Sequence, residues 1–277
     1  MASYVRPRTL DEALRARGER ACAVLAGGTD FYPARVGRVV DEDILDLTAV
    51  AALRGVRDEG SGVRIGALTT WTDLLEADLP HWFDGLKLAA REVGGVQIQN
   101  AGTIAGNLCN ASPAADGVPP LLALDATVEL RSARGTRRLP LGKFILGNRR
   151  TACAADELLT AVIVPKRSHT ARATFLKLGA RSYLVISIAM VAAVVDVAAD
   201  RAIERCAIAV GACSLVAQRL ADLERELVGR RLEPGIGAAV EARYLALLDP
   251  ISDVRATADY RLDAVVTLVG RALERLA

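Results

Sequence analysis

The sequence predicts an α+β protein, and three observations carry that reading. As far as Pro165, short β-branched runs alternate with helical patterns in an α/β texture. At Lys166-Arg-Ser-His-Thr170 a polar stretch interrupts it. Beyond this, three Val-, Ala- and Ile-rich segments follow one another before two leucine-striped helices. Alternation followed by a block of strands and then helices describes separate layered units. With 277 residues, 52% of them hydrophobic, the chain has material for about two domains.

The elements follow in order. Thr9-Leu-Asp-Glu12 is a capping box that opens a helix running through Ala16. Ala21–Leu25 and Ile44–Leu47 read as short strands. After the turn Glu59-Gly-Ser-Gly62 comes the strand Val63–Ile65, and a helix starts at Thr72 with Leu74 and Leu75. Leu86, Ala89, Ala90 and Val93 fall at i, i+3, i+4, i+7, the spacing of an amphipathic helix. Leu121–Leu124 is a short apolar segment. Thr127–Arg131 and Arg137–Leu139 form a hairpin around Gly135, and Leu158–Val164 is a strand that Pro165 ends. In the last part Phe175–Leu178, Ile188–Val197 and Ile203–Val210 are strands, the last two joined at Asp200. Their two-faced apolar character calls for helices over them. Leu215, Leu220, Leu223 and Leu227 give one helix, ended at Gly229. Leu262, Val266, Val269 and Leu273 give a second.

Two segments carry the chemistry. Leu25-Ala-Gly-Gly-Thr-Asp30 ends an apolar run, and residues 99–116 read Gln-Asn-Ala-Gly-Thr-Ile-Ala-Gly-Asn-Leu-Cys-Asn-Ala-Ser-Pro-Ala-Ala-Asp. Gly27, Gly28, Gly102 and Gly106 let backbone N–H groups approach an anion with no Cβ in the way. Thr29, Thr103, Asn107 and Asn110 add short side-chain donors. The second block has neither helical nor strand periodicity and is expected to be a long functional loop. Together the two would cradle the diphosphate of a dinucleotide. Neither is a G-x-G-x-x-G between strand and helix, and no G-K-[ST] occurs, which sets aside the two commonest nucleotide-binding loops.

Other classes of function are excluded by composition. The net charge is +2 and Phe, Tyr and Trp make up 4%, which leaves neither a basic field nor stacking platforms for nucleic acid. The longest apolar run, Leu184–Val195, is too short for a membrane span. The opening residues lack the apolar core of a signal peptide, so a cytoplasmic location is expected. Cys22, Cys109, Cys153, Cys206 and Cys213 are scattered without a C-x-x-C pair, which argues against a metal or iron–sulfur site in this chain, and Cys109 reads as a packing residue. His81 and His169, the two histidines, lie far along the chain from the glycine blocks, so no catalytic side chain is assigned. The chemistry must come from a bound cofactor.

Ala26-Gly-Gly-Thr-Asp30, Thr103-Ile-Ala-Gly-Asn107, Asn110-Ala-Ser-Pro-Ala-Ala-Asp116 and Leu121-Leu-Ala-Leu-Asp-Ala126 resemble the FAD-binding medium subunit of molybdenum hydroxylases. The resemblance continues through Phe175-Leu-Lys-Leu-Gly-Ala-Arg181 and Asp253-Val-Arg-Ala-Thr-Ala-Asp-Tyr-Arg261. That family includes the flavoprotein subunits of carbon monoxide dehydrogenase and of bacterial xanthine dehydrogenases. The resemblance implies a vanillyl-alcohol-oxidase-type (PCMH-type) FAD-binding fold of two α/β lobes, residues 1–57 and 58–168. A C-terminal domain, residues 169–277, would carry a three-stranded antiparallel sheet and helices.

Carried over by position, Leu25, Ala26, Gly27, Gly28, Thr29 and Asp30, with Thr103, Ile104, Ala105, Gly106 and Asn107, hold the FAD diphosphate, and Asn110 adds a donor. Asp116 would lie near the ribityl or ribose hydroxyls, and Tyr183, Leu184 and Val185 would contact the flavin ring. Ala105 stands where many relatives have glycine, and Tyr183-Leu-Val-Ile-Ser187 departs from a pattern that often carries an acid. The implied partners are a small iron–sulfur subunit with [2Fe-2S] clusters and a large subunit with the molybdopterin cofactor, assembled as a dimer of heterotrimers. The chain would pass electrons from the clusters through FAD to an acceptor such as NAD or oxygen. The alternative is a stand-alone FAD-dependent reductase or oxidase on the same fold.

Overall fold

The structure, a computed structural model, describes residues 2–277. Its first sheet is parallel and three-stranded in the order β1–β3–β2, from β1 (Tyr4–Val5), β2 (Ala23–Leu25) and β3 (Ile44–Asp46). Helix α1 (Leu10–Glu19) begins where the sequence places it: Glu12 N donates to Thr9 Oγ1, and the Glu12 carboxylate accepts from Thr9 N, each at 3.2 Å. Ala13 and Leu14 then pack with Leu45, Leu47, Val50 and Leu53 as a small core. Because the strands are parallel, the Ala26–Asp30 segment leaves at the carboxyl end of β2, where open sheets of this kind expose loops to ligands.

The second sheet is antiparallel, in the order β4–β5–β10–β6–β7. Its strands are β4 (Val56–Asp58), β5 (Gly62–Gly66), β6 (Thr127–Ser132), β7 (Gly135–Pro140) and β10 (Leu158–Pro165). The expected boundary at residue 57 thus falls inside β4. Leu158–Pro165 is almost wholly buried, which explains its unbroken apolar run. Between β5 and β6 lie α2 (Trp71–Glu76), α3 (Asp84–Glu92), α4 (Val96–Ala101), α5 (Ile104–Asn110) and α6 (Val118–Ala123). The second glycine block is therefore not a loop. It holds two short helices, and Thr103 caps the second by accepting from Gly106 N at 3.0 Å. The short α7 (Leu141–Phe144) leads to the small hairpin β8 (Ile145–Gly147) and β9 (Arg150–Thr151), which the sequence reading does not anticipate.

Within this sheet Glu129 is buried and accepts from Arg64 at 2.6 and 3.0 Å, from Thr160 Oγ1 at 2.9 Å and from Arg138 at 3.2 Å. The Arg64 hydrogen bonds lower its pKa to about 2 against the opposing effect of burial. A depressed carboxylate contributes stability that is present above its unfolded value and is lost as pH falls through the folded one. The melting temperature is expected to drop between about pH 5 and pH 2, with of order 2 kcal/mol assignable to this group after screening. Glu129→Gln should be less stable at neutral pH and show a flatter acid limb, as measured by thermal melts across that range.

The third sheet is antiparallel, β11 (Arg172–Leu178), β12 (Ala189–Val197), β13 (Ile203–Gly211) and β14 (Gln218–Arg219). It has the three expected strands plus a two-residue fourth. Alternate residues of β12 explain the apolar character of both its faces. Met190, Ala192 and Val194 join the core of the second lobe, while Ala189, Val191, Ala193 and Val195 face α8 (Ala221–Leu227) and α9 (Ala258–Leu276). Leu215, expected in α8, lies before that helix and is exposed. In α9 the fully buried stripe runs through Val265, Val269, Ala272 and Leu273, with Leu262 and Val266 at its margin. Asp125, on the turn after α6, binds Arg167, Arg205 and Arg219 at 2.7 to 2.8 Å, which ties the second lobe to the third sheet. Among the described residues no helix is long and apolar enough to cross a membrane.

Candidate flavin cavity

The two glycine segments meet. A Cβ on Gly27 would overlap the Ala101 carbonyl, 2.7 Å from its carbon, and one on Gly102 would lie 3.4 Å from Thr29 Oγ1. Only a residue without a side chain lets the first segment lie this close to the end of α4. Gly28 has φ +75°, a left-handed turn that glycine adopts without strain. On the other side, Trp71 N donates to Gly102 O at 3.2 Å, which fixes where α5 starts.

Between the segments is a cavity of about 560 Å³. Ala26, Gly27, Gly28, Thr29, Asp30, Thr103, Ala105, Gly106, Asn107 and Asn110 all line it. Leu25 and Ile104 do not; both are buried in the core beneath it. The walls also include Arg17, Arg35, Trp71, Arg149, Cys153 and Leu158, none of which the sequence reading assigns to the site. Their contribution comes from tertiary placement. Arg149, for example, arrives on the β8–β9 turn, where its N–H donates to Ala111 O at 3.3 Å.

The two segments differ in what they offer. Among the described residues nothing accepts from the N–H groups of Gly27, Gly28, Thr29 and Asp30, and the first three of these residues are only half-buried. The N–H groups of α5 are already used: Ile104 N donates to Thr69 O, Ala105 N to Ala67 O, Gly106 N to Thr103 Oγ1 and Asn107 N to Thr103 O, at 3.0 to 3.2 Å. Converging amides are thus available from one segment, while the other contributes side chains. Asn107 lines the cavity, and its buried Oδ1 has no hydrogen-bond partner among the described residues.

Asp116 is not in the lining. Its carboxylate accepts from Lys177 Nζ at 2.8 Å and Ser187 Oγ at 2.6 Å. Burial raises its pKa, and the Lys177 charge offsets this only in part. Tyr183, Leu184 and Val185 also lie outside the lining, on a loop where Tyr183 and Leu184 are exposed. Leu184 packs beside Gly95, near the Val93 and Ile98 stretch of the cavity wall. Cys109, read as a packing residue, instead opens onto the cavity, although the surrounding walls push its thiol up to about 12. Neither histidine lines the cavity, and among the described residues no cluster of His, Cys, Asp and Glu could hold a metal ion.

A wider cleft of about 870 Å³ lies elsewhere, lined by Arg54, Asp73, Trp82, Lys166 and Arg167 among others. Two of its charged pairs are closed, Arg54 with Asp73 at 2.7 Å and Arg167 with Asp196 at 3.2 Å.

Comparison with known proteins gives two family matches: the FAD binding domain in molybdopterin dehydrogenase over residues 1–167, and the CO dehydrogenase flavoprotein C-terminal domain over 173–276. The chain is 32% identical to the glyceraldehyde dehydrogenase medium chain of Sulfolobus acidocaldarius over 99% of its own length and 98% of that protein. It is 38% identical to the nicotinate dehydrogenase FAD-subunit of Eubacterium barkeri over 67% of its length, a match that takes in 65% of that subunit. Among solved structures, reconstituted CO dehydrogenase from Oligotropha carboxidovorans superposes with a TM-score of 0.90 at 26% identity, covering 100% of this chain and 97% of the other.

Proposed function

The chain belongs to the FAD-binding subunits of the molybdopterin dehydrogenases, and on that premise we propose that it is the electron outlet of a three-subunit molybdenum hydroxylase. It takes electrons from the [2Fe-2S] clusters of a small partner, itself fed by a molybdopterin-binding large partner, and delivers them to an acceptor such as NAD or oxygen. The assembly is a dimer of heterotrimers in a reducing cytoplasm; the five cysteines are unpaired, in keeping with that compartment. The proposed lobes, residues 1–57, 58–168 and 169–277, meet at β4, the edge strand of the second sheet, and in the polar segment after β10.

One observation carries the site: Gly27–Thr29, half-buried and with N–H groups that have no acceptor among the described residues, line a cavity shared with Asn107 and Asn110. Neutral amides suit a diphosphate, since several donors can converge on it without a fixed counter-charge. The Asn107 Oδ1 is an acceptor suited to a sugar hydroxyl. The volume lies within the roughly 300–1,000 Å³ of small-molecule sites. When bound, FAD supplies the ability to exchange electrons singly or as a pair. The residues present bind and orient it: Gly27–Asp30 hold the phosphates, Asn107 and Asn110 flank them, and the apolar wall of Trp71 and Ile98 excludes water. Asp116 acts indirectly, by fixing Ser187 at the end of the loop that bears Tyr183, Leu184 and Val185.

The test is direct. The purified chain should take up one equivalent of FAD and turn yellow, and it should co-purify from its native host with iron- and molybdenum-containing subunits. A colourless chain that refuses FAD would overturn the reading. Asn107→Ala is expected to weaken FAD about fivefold through one lost hydrogen bond while leaving the FAD-free chain as stable as before, because an unpartnered buried atom is removed with it. Titration and melting temperature check the two halves of that expectation.

A further inference from the structure

One wall of the cavity holds an immobilised cation with no counter-charge. Arg17 of α1 lines it beside Cys22, Val24, Leu47, Leu158 and Leu159. Its Nε donates to Glu157 O at 3.4 Å and its Nη1 to Cys22 O at 2.6 Å, with Cys22 Sγ 3.5 Å from the same nitrogen. Both oxygen acceptors are neutral carbonyls, one from each of the first two lobes. The neighbouring Glu157 carboxylate is taken by Arg137 at 2.6 and 2.7 Å. Among the described residues no carboxylate comes within ion-pair distance of Arg17, and its Nη2 donates to nothing. Carbonyl acceptors fix the guanidinium plane without neutralising it.

A half-buried planar cation framed by thiol and aliphatic groups suits a flat, electron-rich heteroaromatic ring, which it can stack against and donate to at once. The flavin ring is expected near Tyr183–Val185, on the side where Leu184 rests by Gly95 and the cavity wall is Val93 and Ile98. With the diphosphate at Gly27–Asp30, Arg35 taken by Glu42 and the Phe31 ring, and Arg149 exposed, the half-buried cationic wall left for the other base is that of Arg17. We propose that Arg17 receives the adenine of the dinucleotide, and so makes the chain select FAD over the mononucleotide FMN. The proposal rests on the FAD reading above.

Equilibrium titration of the full chain with FAD, ADP and FMN tests it. Arg17→Met should weaken FAD and ADP about tenfold and leave FMN within about twofold, as expected for loss of one cation–π and hydrogen-bonding contact. Arg17→Lys, which keeps the charge and loses the plane, should fall between. Equal losses for all three ligands, or none, would overturn the assignment. Because Arg17 also ties two lobes together, a second measurement uses the wild-type chain alone. Alkylation of Cys22, followed by mass spectrometry, should be slowed by FAD and ADP and unaffected by FMN or pyrophosphate. If FAD binds while ADP leaves Cys22 fully reactive, the adenine lies elsewhere and this inference fails alone. If the wild-type chain takes up no FAD, the underlying reading fails and takes the inference with it.

Discussion

Gly27→Ala is expected to yield a chain that purifies without flavin, with FAD affinity down about 100-fold or more, and Gly27→Val to be worse. The cause is a backbone collision: any Cβ at this position overlaps the Ala101 carbonyl, and neither partner is a side chain that can swing away. Overpacking of this kind costs about 1–3 kcal/mol where neighbours can shift, and here relief requires the two cavity segments to separate. Gly28 gives the control. Its φ of +75° makes alanine there strained, but the atoms that a Cβ would meet, 2.6 Å away, belong to the ring of Tyr32, which is 61% exposed and free to rotate. Gly28→Ala should therefore cost only about tenfold in affinity, the left-handed penalty of 1–2 kcal/mol. Flavin content by absorbance, with the melting temperature of the FAD-free chain, ranks the two. An equal effect at both positions would show generic loop damage and refute the close-approach explanation.

That ranking was not readable from the sequence, where Gly27 and Gly28 are adjacent and chemically identical. What the residues do disclose is local. The Thr9–Glu12 box, the strand Leu158–Pro165 and the β12–β13 hairpin declare themselves through capping chemistry, apolar runs and turn residues, and all three form where expected. The second glycine block misleads because its helices are short and one is opened by a threonine cap, so no window is long enough to show a 3.6-residue period. Treating it as a loop made its amides seem available, whereas Thr69, Ala67 and Thr103 consume them. Arg17 and Arg149 reach the cavity only because α1 and the β8–β9 turn are folded over it. Arg17 is held by Glu157, 140 residues along the chain, and Arg149, on its hairpin turn, by Ala111, and no local pattern records either contact. Family resemblance supplies what periodicity lacks, but it transfers positions and not hydrogen-bond partners. Asp116 shows the difference: placed near the sugar hydroxyls by resemblance, it spends its carboxylate on Lys177 and Ser187.

Lys177→Met is expected to be the most destabilising single change outside the cavity. Lys177 and Asp116 are both buried, and the ammonium also donates to Glu92 O at 3.2 Å, so the pair joins the end of α3 to β11 and to the loop ending at Ser187. Removing the lysine leaves a buried carboxylate with one hydroxyl donor, a loss of about 3–5 kcal/mol. For a chain of this size that corresponds to a fall in melting temperature of roughly 10 °C. The pH dependence should separate this from simple loss of packing. Burial already raises the Asp116 pKa, and without Lys177 nothing cationic offsets it. A carboxyl whose folded pKa exceeds its unfolded value favours the folded state most at low pH and loses that contribution as pH climbs through the folded value. The variant's deficit should therefore shrink on mild acidification from pH 7 to about pH 5, above the range where Glu129 protonates. The double variant Asp116→Leu with Lys177→Met should recover much of the loss, since an apolar pair of similar volume leaves no charge to desolvate. A deficit independent of pH, or a double variant as unstable as the single, would mean that Lys177 acts through its aliphatic stem and not through the ion pair.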